Sequence, residues 1–239
     1  MRKFILLAGI STLTLAACGK PPETAAPVEP PASAETAPAP SAEAAAAEIA
    51  PAETPFDVSM TVPGVYNADT SHAYITFSYD HQGYSRPWLR WRSWTGDLNW
   101  NPGAPEQSSI AVVIDAASID SGVDKFDDHL KSADFFEVEK YPQITFNSTS
   151  VTIDGLATAK IAGDLTVKGA TKPVTLDVKI NRAADDDFAK GYKLGFSGKT
   201  SIKRSDFGVD KYTPFVGDDV EILIEAEFVM PKEEPAPAQ

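Results

Sequence analysis

The sequence predicts an all-β domain: an eight-stranded antiparallel barrel with one short helix between strands three and four. Apolar and polar residues alternate in about eight segments, and Gly, Asn, Asp or Pro separate several of these segments. One further segment carries its apolar residues at helical spacing. Long strands joined by short turns favour an up-and-down meander, which closes because closure removes its edges.

The strands are predicted from period-two alternation. In the clearest segment Val174, Leu176, Val178 and Ile180 are interleaved with polar residues. The same alternation recurs at 160–167, 192–197 and 220–228, and the remaining strands are expected at 73–81, 88–100, 109–115 and 143–153. Turn residues lie at 101–103, 154–155, 168–169 and 185–187.

The segment 124–136 breaks this alternation. Phe126, Leu130 and Ala133 recur at helical spacing, and Asp127 and Asp128 lie where a helix N-terminus favours negative charge. It is therefore predicted to be the short helix.

The N-terminus predicts export. Arg2 and Lys3 precede an apolar run, 4–15, which is shorter than the roughly 20 residues that span a bilayer. The run ends in Leu-Ala-Ala-Cys, as lipoprotein signal peptides do, so residues 1–17 are predicted to be a signal peptide and Cys18 the lipid attachment site. Ordinary secretion after Ala17 is the alternative. Cys18 is the only cysteine, so no internal disulfide is possible.

Composition sets the domain boundaries. Residues 19–55 are almost wholly Pro, Ala, Glu, Ser and Thr, which cannot bury enough apolar surface to fold, so 18–55 is expected to be a lipidated, disordered tether. Its extended reach is at most roughly 100 Å. The tail 232–239 has the same character, which leaves 56–231 as one folded domain.

Charge and motifs exclude several functions. The formal net charge of −13 argues against a nucleic-acid partner. No G-x-S-x-G motif or domain cysteine offers a nucleophile, and His72, His81 and His129 lack the spacing of a metal site. We therefore expect a binding protein without catalysis, metal or resident cofactor.

Alternation alone does not decide whether the barrel is hollow. Eight strands enclose a space that is filled by side chains or holds one slender ligand. Gly163, Gly198 and Ala226 lie at inward positions and would leave room, although strand glycines also serve bulges and bends. Both alternatives stay open on this pattern.

Four blocks of sequence resemble the YceI-like family of periplasmic polyisoprenoid-binding proteins. They are DTSHA at 69–73 followed by Phe77, His81 and Gly83; DHLKSADFF at 128–136 followed by Tyr141, Pro142 and Phe146; GDLTVKG at 163–169; and RSDFG at 204–208. The resemblance runs from about Tyr66 to Phe228. It implies a lipocalin-like barrel with an elongated apolar pocket for a polyprenyl lipid or an isoprenoid quinone.

The segment 86–94 departs from that family. It reads RPWLRWRSW, with Trp91 where the family has phenylalanine, and with three added arginines. One interpretation is a basic aromatic rim for a phosphate-bearing head group or a membrane interface. The other is an edge strand whose arginines cover tryptophan faces.

The resemblance and the inward alternation together give the expected ligand contacts, namely Phe77, His81, Trp91, Phe135, Phe146, Gly163, Leu165, Phe196 and Ala226. His81 lies on the same face of its strand as Phe77 and would bond a polar end of the ligand or serve as a structural residue.

The predicted function is binding, sequestration or transport of an isoprenoid lipid by a monomer or homodimer. A filled barrel acting as an envelope stress adaptor for another protein is the alternative. Gly19 favours outer-membrane placement on the periplasmic side.

Overall fold

A computed structural model describes residues 57–232 of the chain. The predicted signal peptide, Cys18, the tether and the tail from residue 233 lie outside the described residues. Within the described residues, no helix has the length and apolar character needed to cross a membrane.

Eleven strands form one antiparallel sheet. Their order is β1-β4-β5-β7-β8-β9-β10-β11-β2-β3-β6, and β1 also pairs with β11. The strands are β1 Gly64–Ala68, β2 Tyr74–His81, β3 Trp88–Trp91, β4 Trp94–Trp100, β5 Ser109–Asp115, β6 Ile119–Asp120, β7 Gln143–Ile153, β8 Thr158–Val167, β9 Ala170–Asp186, β10 Gly191–Lys203 and β11 Val216–Pro231.

The sheet closes into a barrel with eight strand positions around it, which we call staves. Each of the first three staves is a strand broken in two, so β1 with β2, β3 with β4 and β5 with β6 count as one stave each. A 3₁₀ turn, Thr70–His72, separates β1 from β2, and another, Ala116–Ser118, separates β5 from β6; β3 and β4 are separated by two residues. Pairing of β1 with both β4 and β11 closes the ring. The predicted eight-stranded antiparallel barrel with a helix after the third stave is confirmed.

Helix α1, Asp124–Lys131, is shorter than the predicted 124–136. Ser132 leaves the helix with an extended backbone, and its hydroxyl donates to the His129 carbonyl at 2.7 Å, a side-chain bond that competes with helix continuation. The following turn is held by the Phe136 N–H, which donates to the Leu130 carbonyl at 3.0 Å. The helical periodicity therefore overran the helix by five residues.

The two ends of the barrel differ in the elements that they carry. The mouth is the end with α1, the β2–β3 hairpin, the Lys168–Gly169 turn and the mouth loop, residues 204–215 between β10 and β11. At the opposite, closed end, Tyr66 and Leu194 are fully buried. Trp100 Nε1 there donates to Thr61 Oγ1 at 2.6 Å. Burial raises the pKa of Tyr66 to about 12.

Candidate functional site: an apolar cavity

The barrel encloses a cavity of about 310 Å³ that every stave helps to line. The inward residues of β9, β10 and β11 contribute aliphatic side chains, among them Val174, Leu176 and Ile222. Leu130 of α1 and Phe136 just after it lie across one end of the cavity. This volume is at the lower end of the roughly 300–1,000 Å³ typical of small-molecule sites.

The walls of the cavity are packed unequally. Phe77, Trp91 and Ile144 are buried, so the wall formed by β2, β3 and β7 is closely packed. Inward residues on β8 to β11, such as Leu165 and Phe196, are only half-buried although they point into the barrel. Their accessible surface faces the cavity, as does that of two half-buried lining residues on β5, so the free space lies against β5 and β8 to β11.

Trp91 is the centre of the closely packed wall. Its indole stacks on Phe77 with ring centroids 4.7 Å apart and meets Phe136 edge-on at 5.8 Å. The indole Nε1 is buried and has no hydrogen-bond partner among residues 57–232. A buried donor without a partner costs free energy, so an acceptor on a ligand would gain the most binding free energy by accepting from this N–H.

The polar groups of the cavity lie at the mouth. His81 and Tyr212 are the lining residues that solvent reaches freely within the described part of the chain, which identifies the mouth as the opening. His129 packs edge-on against Phe135 with centroids 5.0 Å apart. The arrangement provides polar contacts for a head group above an apolar channel.

Asp134 joins the two sides of the mouth. One carboxylate oxygen lies 3.2 Å from His129 Nε2, and the other accepts from Lys211 Nζ, in the mouth loop, at 3.1 Å. The hydrogen bond with His129, followed by that with Lys211, holds the pKa of Asp134 below its usual range. Lys168 adds a second tie by donating to the carbonyls of Ala133 at 2.9 Å and Gly208 at 3.2 Å.

Arg204 organises the mouth loop from inside the barrel. It is buried and donates to the carbonyls of Val209, Lys211, Val216 and Gly217 at 2.6 to 2.9 Å. Burial lowers the pKa of its guanidinium. Among residues 57–232 it forms no ion pair with the nearby Asp206, because the guanidinium is used by these backbone carbonyls instead.

The cavity brings together eight of the nine expected ligand contacts, which are Phe77, His81, Trp91, Phe135, Phe146, Leu165, Phe196 and Ala226. Gly163 is not among the lining residues. A Cβ on Gly163 would lie 2.5 Å from Phe146 Cζ and 2.6 Å from the Asn147 carbonyl oxygen, so the Phe146 ring occupies the space that the glycine leaves. A β-bulge between Ser148 and Ser150 lies opposite Gly163.

Sequence reasoning missed two groups of lining residues. Val174, Leu176 and Val178 had the alternation that predicts an inward face, so that signal was available. Val209 and Tyr212 belong to the mouth loop, where no periodicity indicates direction. Only the closed barrel brings them to the opening.

The arginines of segment 86–94 form ion pairs on the outside of the sheet. Arg90 and Arg92 donate to the same Asp120 oxygen at 2.9 and 2.8 Å, which fastens β6 to β3. Hydrogen bonds from Arg92, Arg90 and the Gly122 N–H lower the pKa of Asp120 to about 2. For these two arginines the geometry agrees with a structural role, whereas Trp91 faces the cavity.

One group of metal-ligand type lies on the barrel away from the cavity. Ligand atoms of Asp69, His72 and Glu227 lie within 4.8 Å of one another. Lys193 Nζ is 2.8 Å from Glu227 and 3.8 Å from Asp69, and it is 3.4 Å from Asp186. The lysine ammonium therefore supplies the positive charge that this carboxylate group requires.

The family model of the YceI-like domain matches residues 66–228. Among curated relatives, Protein YceI of Escherichia coli O6:H1 is 35% identical over 179 residues, which are 74% of this chain and 93% of the relative. The residues that the family model matches run from within β1 to within β11, so the match spans the barrel.

Solved structures repeat the barrel. Burkholderia cenocepacia BcnA matches with a TM-score of 0.61 at 26% identity, over 67% of this chain and 98% of that protein. A polyisoprenoid binding domain from Saccharophagus degradans, implicated in plant cell wall breakdown, matches with a TM-score of 0.53 at 14% identity over 70% of this chain and 98% of that domain. The second likeness shows a shared fold.

Proposed function

The chain belongs to the YceI-like family, and we propose that its barrel binds a long-chain isoprenoid lipid, either a polyprenyl lipid or an isoprenoid quinone. The observation that carries the proposal is the enclosed cavity, whose lining is apolar except near the mouth. The name of the Saccharophagus degradans domain, which has the same fold, supports this ligand class.

The cavity favours a slender apolar tail with a small polar end. Each methylene that it removes from water contributes about 0.8 kcal/mol before ordering costs are subtracted. The tail would lie against Leu165, Leu176 and Phe196, and the polar end would lie near His81 and Tyr212 at the mouth. Enclosed apolar volume without a converging set of catalytic groups suits binding and release of an unchanged ligand.

In the cell, we propose that the domain sequesters or carries this lipid on the periplasmic side of the envelope without catalysing a reaction. Acylation of Cys18 would retain the protein at a membrane, with the outer membrane favoured by Gly19. The basic start, the short apolar run and the Leu-Ala-Ala-Cys string support this placement.

Direct binding tests the proposal. Isoprenoid quinones that share one head group and differ in tail length are titrated into the purified protein, and affinity is expected to rise with each added isoprene unit until the cavity is full. Straight-chain alcohols of equal carbon number serve as the matched control for chain shape. Equal affinity at every tail length would contradict the proposal, as would the absence of bound lipid in native mass spectra of the protein.

The alternative function, a filled barrel that serves as a protein adaptor, requires an interior occupied by its own side chains. The described barrel instead leaves about 310 Å³ free, so this observation favours the lipid ligand.

A further inference from the structure

Exposed aromatic side chains gather around the mouth of the barrel. Tyr84 at the tip of the β2–β3 hairpin is 87% exposed, and Phe215 at the end of the mouth loop is 77% exposed. Tyr212, in the same loop, is 50% exposed and also lines the cavity. We call these three residues the aromatic rim.

Backbone hydrogen bonds hold the rim together. The Tyr84 N–H donates to the His81 carbonyl at 3.0 Å, and the Val216 N–H donates to the Tyr212 carbonyl at 2.9 Å. His81 and Val216 are themselves partners in the β2–β11 pairing. The hairpin and the mouth loop are therefore adjacent, and both border the opening marked by His81 and Tyr212.

We propose that the aromatic rim docks the mouth onto the surface of a zwitterionic phospholipid bilayer, from which the apolar ligand enters the cavity without crossing water. This inference rests on the proposed function, because an isoprenoid lipid is stored in bilayers. Tyrosine and phenylalanine suit the membrane interface, since their rings enter the head-group region while the tyrosine hydroxyl stays hydrated. Docking deepens the lipid-binding proposal by naming the route of entry.

Charge selects the kind of bilayer. The chain is acidic, with a formal net charge of −13. At the mouth, Lys211 and Lys168 are already used by Asp134 and by backbone carbonyls, and the two lysines of α1 are outnumbered by its three aspartates. The mouth would therefore have little electrostatic attraction to an anionic bilayer. Binding through the aromatic rim depends on apolar contact, so it should change little with salt.

The length of chain outside the described residues permits this orientation. The domain begins near the closed end, because β1 starts at Gly64 opposite Trp100. The longest stave beside it, β11, has 16 residues and extends about 50 Å at roughly 3.3 Å per residue. The predicted tether, with an extended reach of at most roughly 100 Å, is long enough for the mouth to meet the membrane that holds Cys18.

The test uses the chain from Gly19 to Gln239, which keeps every described residue and lacks the predicted acylation site. Co-sedimentation with phosphatidylcholine vesicles should show binding, and the Phe215→Ser variant should bind about tenfold more weakly, since burying an aromatic ring is favourable. Phe188→Ser is the matched control: Phe188 is 101% exposed in the β9–β10 hairpin at the closed end, and its replacement should leave vesicle binding unchanged.

Two results would overturn docking through the mouth: equal vesicle binding by Phe215→Ser and the parent, or a loss caused by Phe188→Ser. Binding that requires phosphatidylglycerol and disappears with salt would also overturn it, because an electrostatic surface would then be responsible.

Quinone affinity of Phe215→Ser, measured with the quinone added without vesicles, separates docking from ligand binding. It should match the parent, while extraction of quinone from vesicles should slow about tenfold in proportion to docking. If quinone does not bind but the vesicle results hold, the proposed function fails and the docking surface stands. If quinone binds and the vesicle results fail, the docking inference alone is wrong.

Discussion

Arg204 donates a hydrogen bond from Nη1 to the carbonyl oxygen of Val209 at 2.6 Å, which braces the mouth loop from within, just after the end of β10. The same guanidinium serves three further carbonyls, those of Lys211, Val216 and Gly217. One buried side chain thus replaces the backbone partners that an irregular loop lacks.

Replacing Arg204 with Met should destabilise the domain by about 2–4 kcal/mol, because several carbonyls lose their donors while the apolar length of the side chain is kept. Urea unfolding measures the change in free energy. Arg204→Lys, which keeps the charge and fewer donors, should fall between Met and the parent. An unfolding midpoint of Arg204→Met equal to that of the parent would show that water replaces the guanidinium without loss.

Ala226 is the position at which added volume should compete with the ligand. It is buried on β11, lines the cavity and lies beside Phe196 in the β10–β11 pairing. Ala226→Phe should weaken binding of a long-tailed quinone at least about tenfold while a short-tailed quinone is affected less, with an overpacking cost of about 1–3 kcal/mol in stability.

Ala162→Phe is the control for Ala226→Phe, because Ala162 alternates with the lining residue Ile161 and pairs with the exposed Thr175. It should leave binding of both quinones unchanged. Equal losses for the long and the short tail in Ala226→Phe would contradict occupation of the cavity by the tail. Gly163→Phe would be a poorer test, since Phe146 already fills that position.

Asp120 should contribute an acid-dependent part of the stability. Its pKa is about 2 in the folded protein, against an ordinary value of 3.8. The unfolded chain therefore binds a proton before the folded one does, so this contribution is complete above about pH 4 to 5 and is lost as pH falls towards 2. Asp120→Asn should lower the free energy of unfolding at neutral pH, and the gap to the parent should narrow through this window.

Urea unfolding of both proteins at several pH values measures that gap. Asp219→Asn is a suitable control, because Asp219 is a more exposed carboxylate with one lysine partner, Lys203, at 2.8 Å. A gap between Asp120→Asn and the parent that stays constant down to pH 2 would argue against the ion pairs with Arg90 and Arg92 as its source.

Cys18 is predicted to carry the lipid. Cys18→Ser should abolish incorporation of labelled fatty acid and leave the protein soluble or unprocessed, because serine offers no thiol for acylation. Metabolic labelling followed by fractionation checks both outcomes. Ser11→Ala, a similarly small change within the apolar run, should preserve labelling. Continued labelling of the Cys18→Ser protein would mean that the N-terminal motif has been misread.

The sequence by itself determined the staves. Val174, Leu176 and Val178 alternate with polar residues. A shift of the strand by one residue would turn all three side chains towards solvent, so burial of the apolar face specifies the register. Lys168 and Gly169 adopt positive φ angles of 49° and 77°, as a tight two-residue turn requires. Local chemistry therefore specified most of the strands and turns and most of the residues that face inward. The turn predicted at 185–187 is wrong in its position, because β9 continues through two of its three aspartates.

Only the tertiary structure decided whether the interior is hollow and where it opens. The free volume depends on the combined volume of the inward side chains from all eight staves, so it cannot be derived from the sequence of any single strand. Phe146 occupies the space beside Gly163, whereas Leu165 and Phe196 leave space beside them. The mouth is assembled from Asp134, just after α1, and from Arg204 and Tyr212 in the mouth loop. These two segments are distant in sequence and meet only because closure of the barrel brings them to the same end.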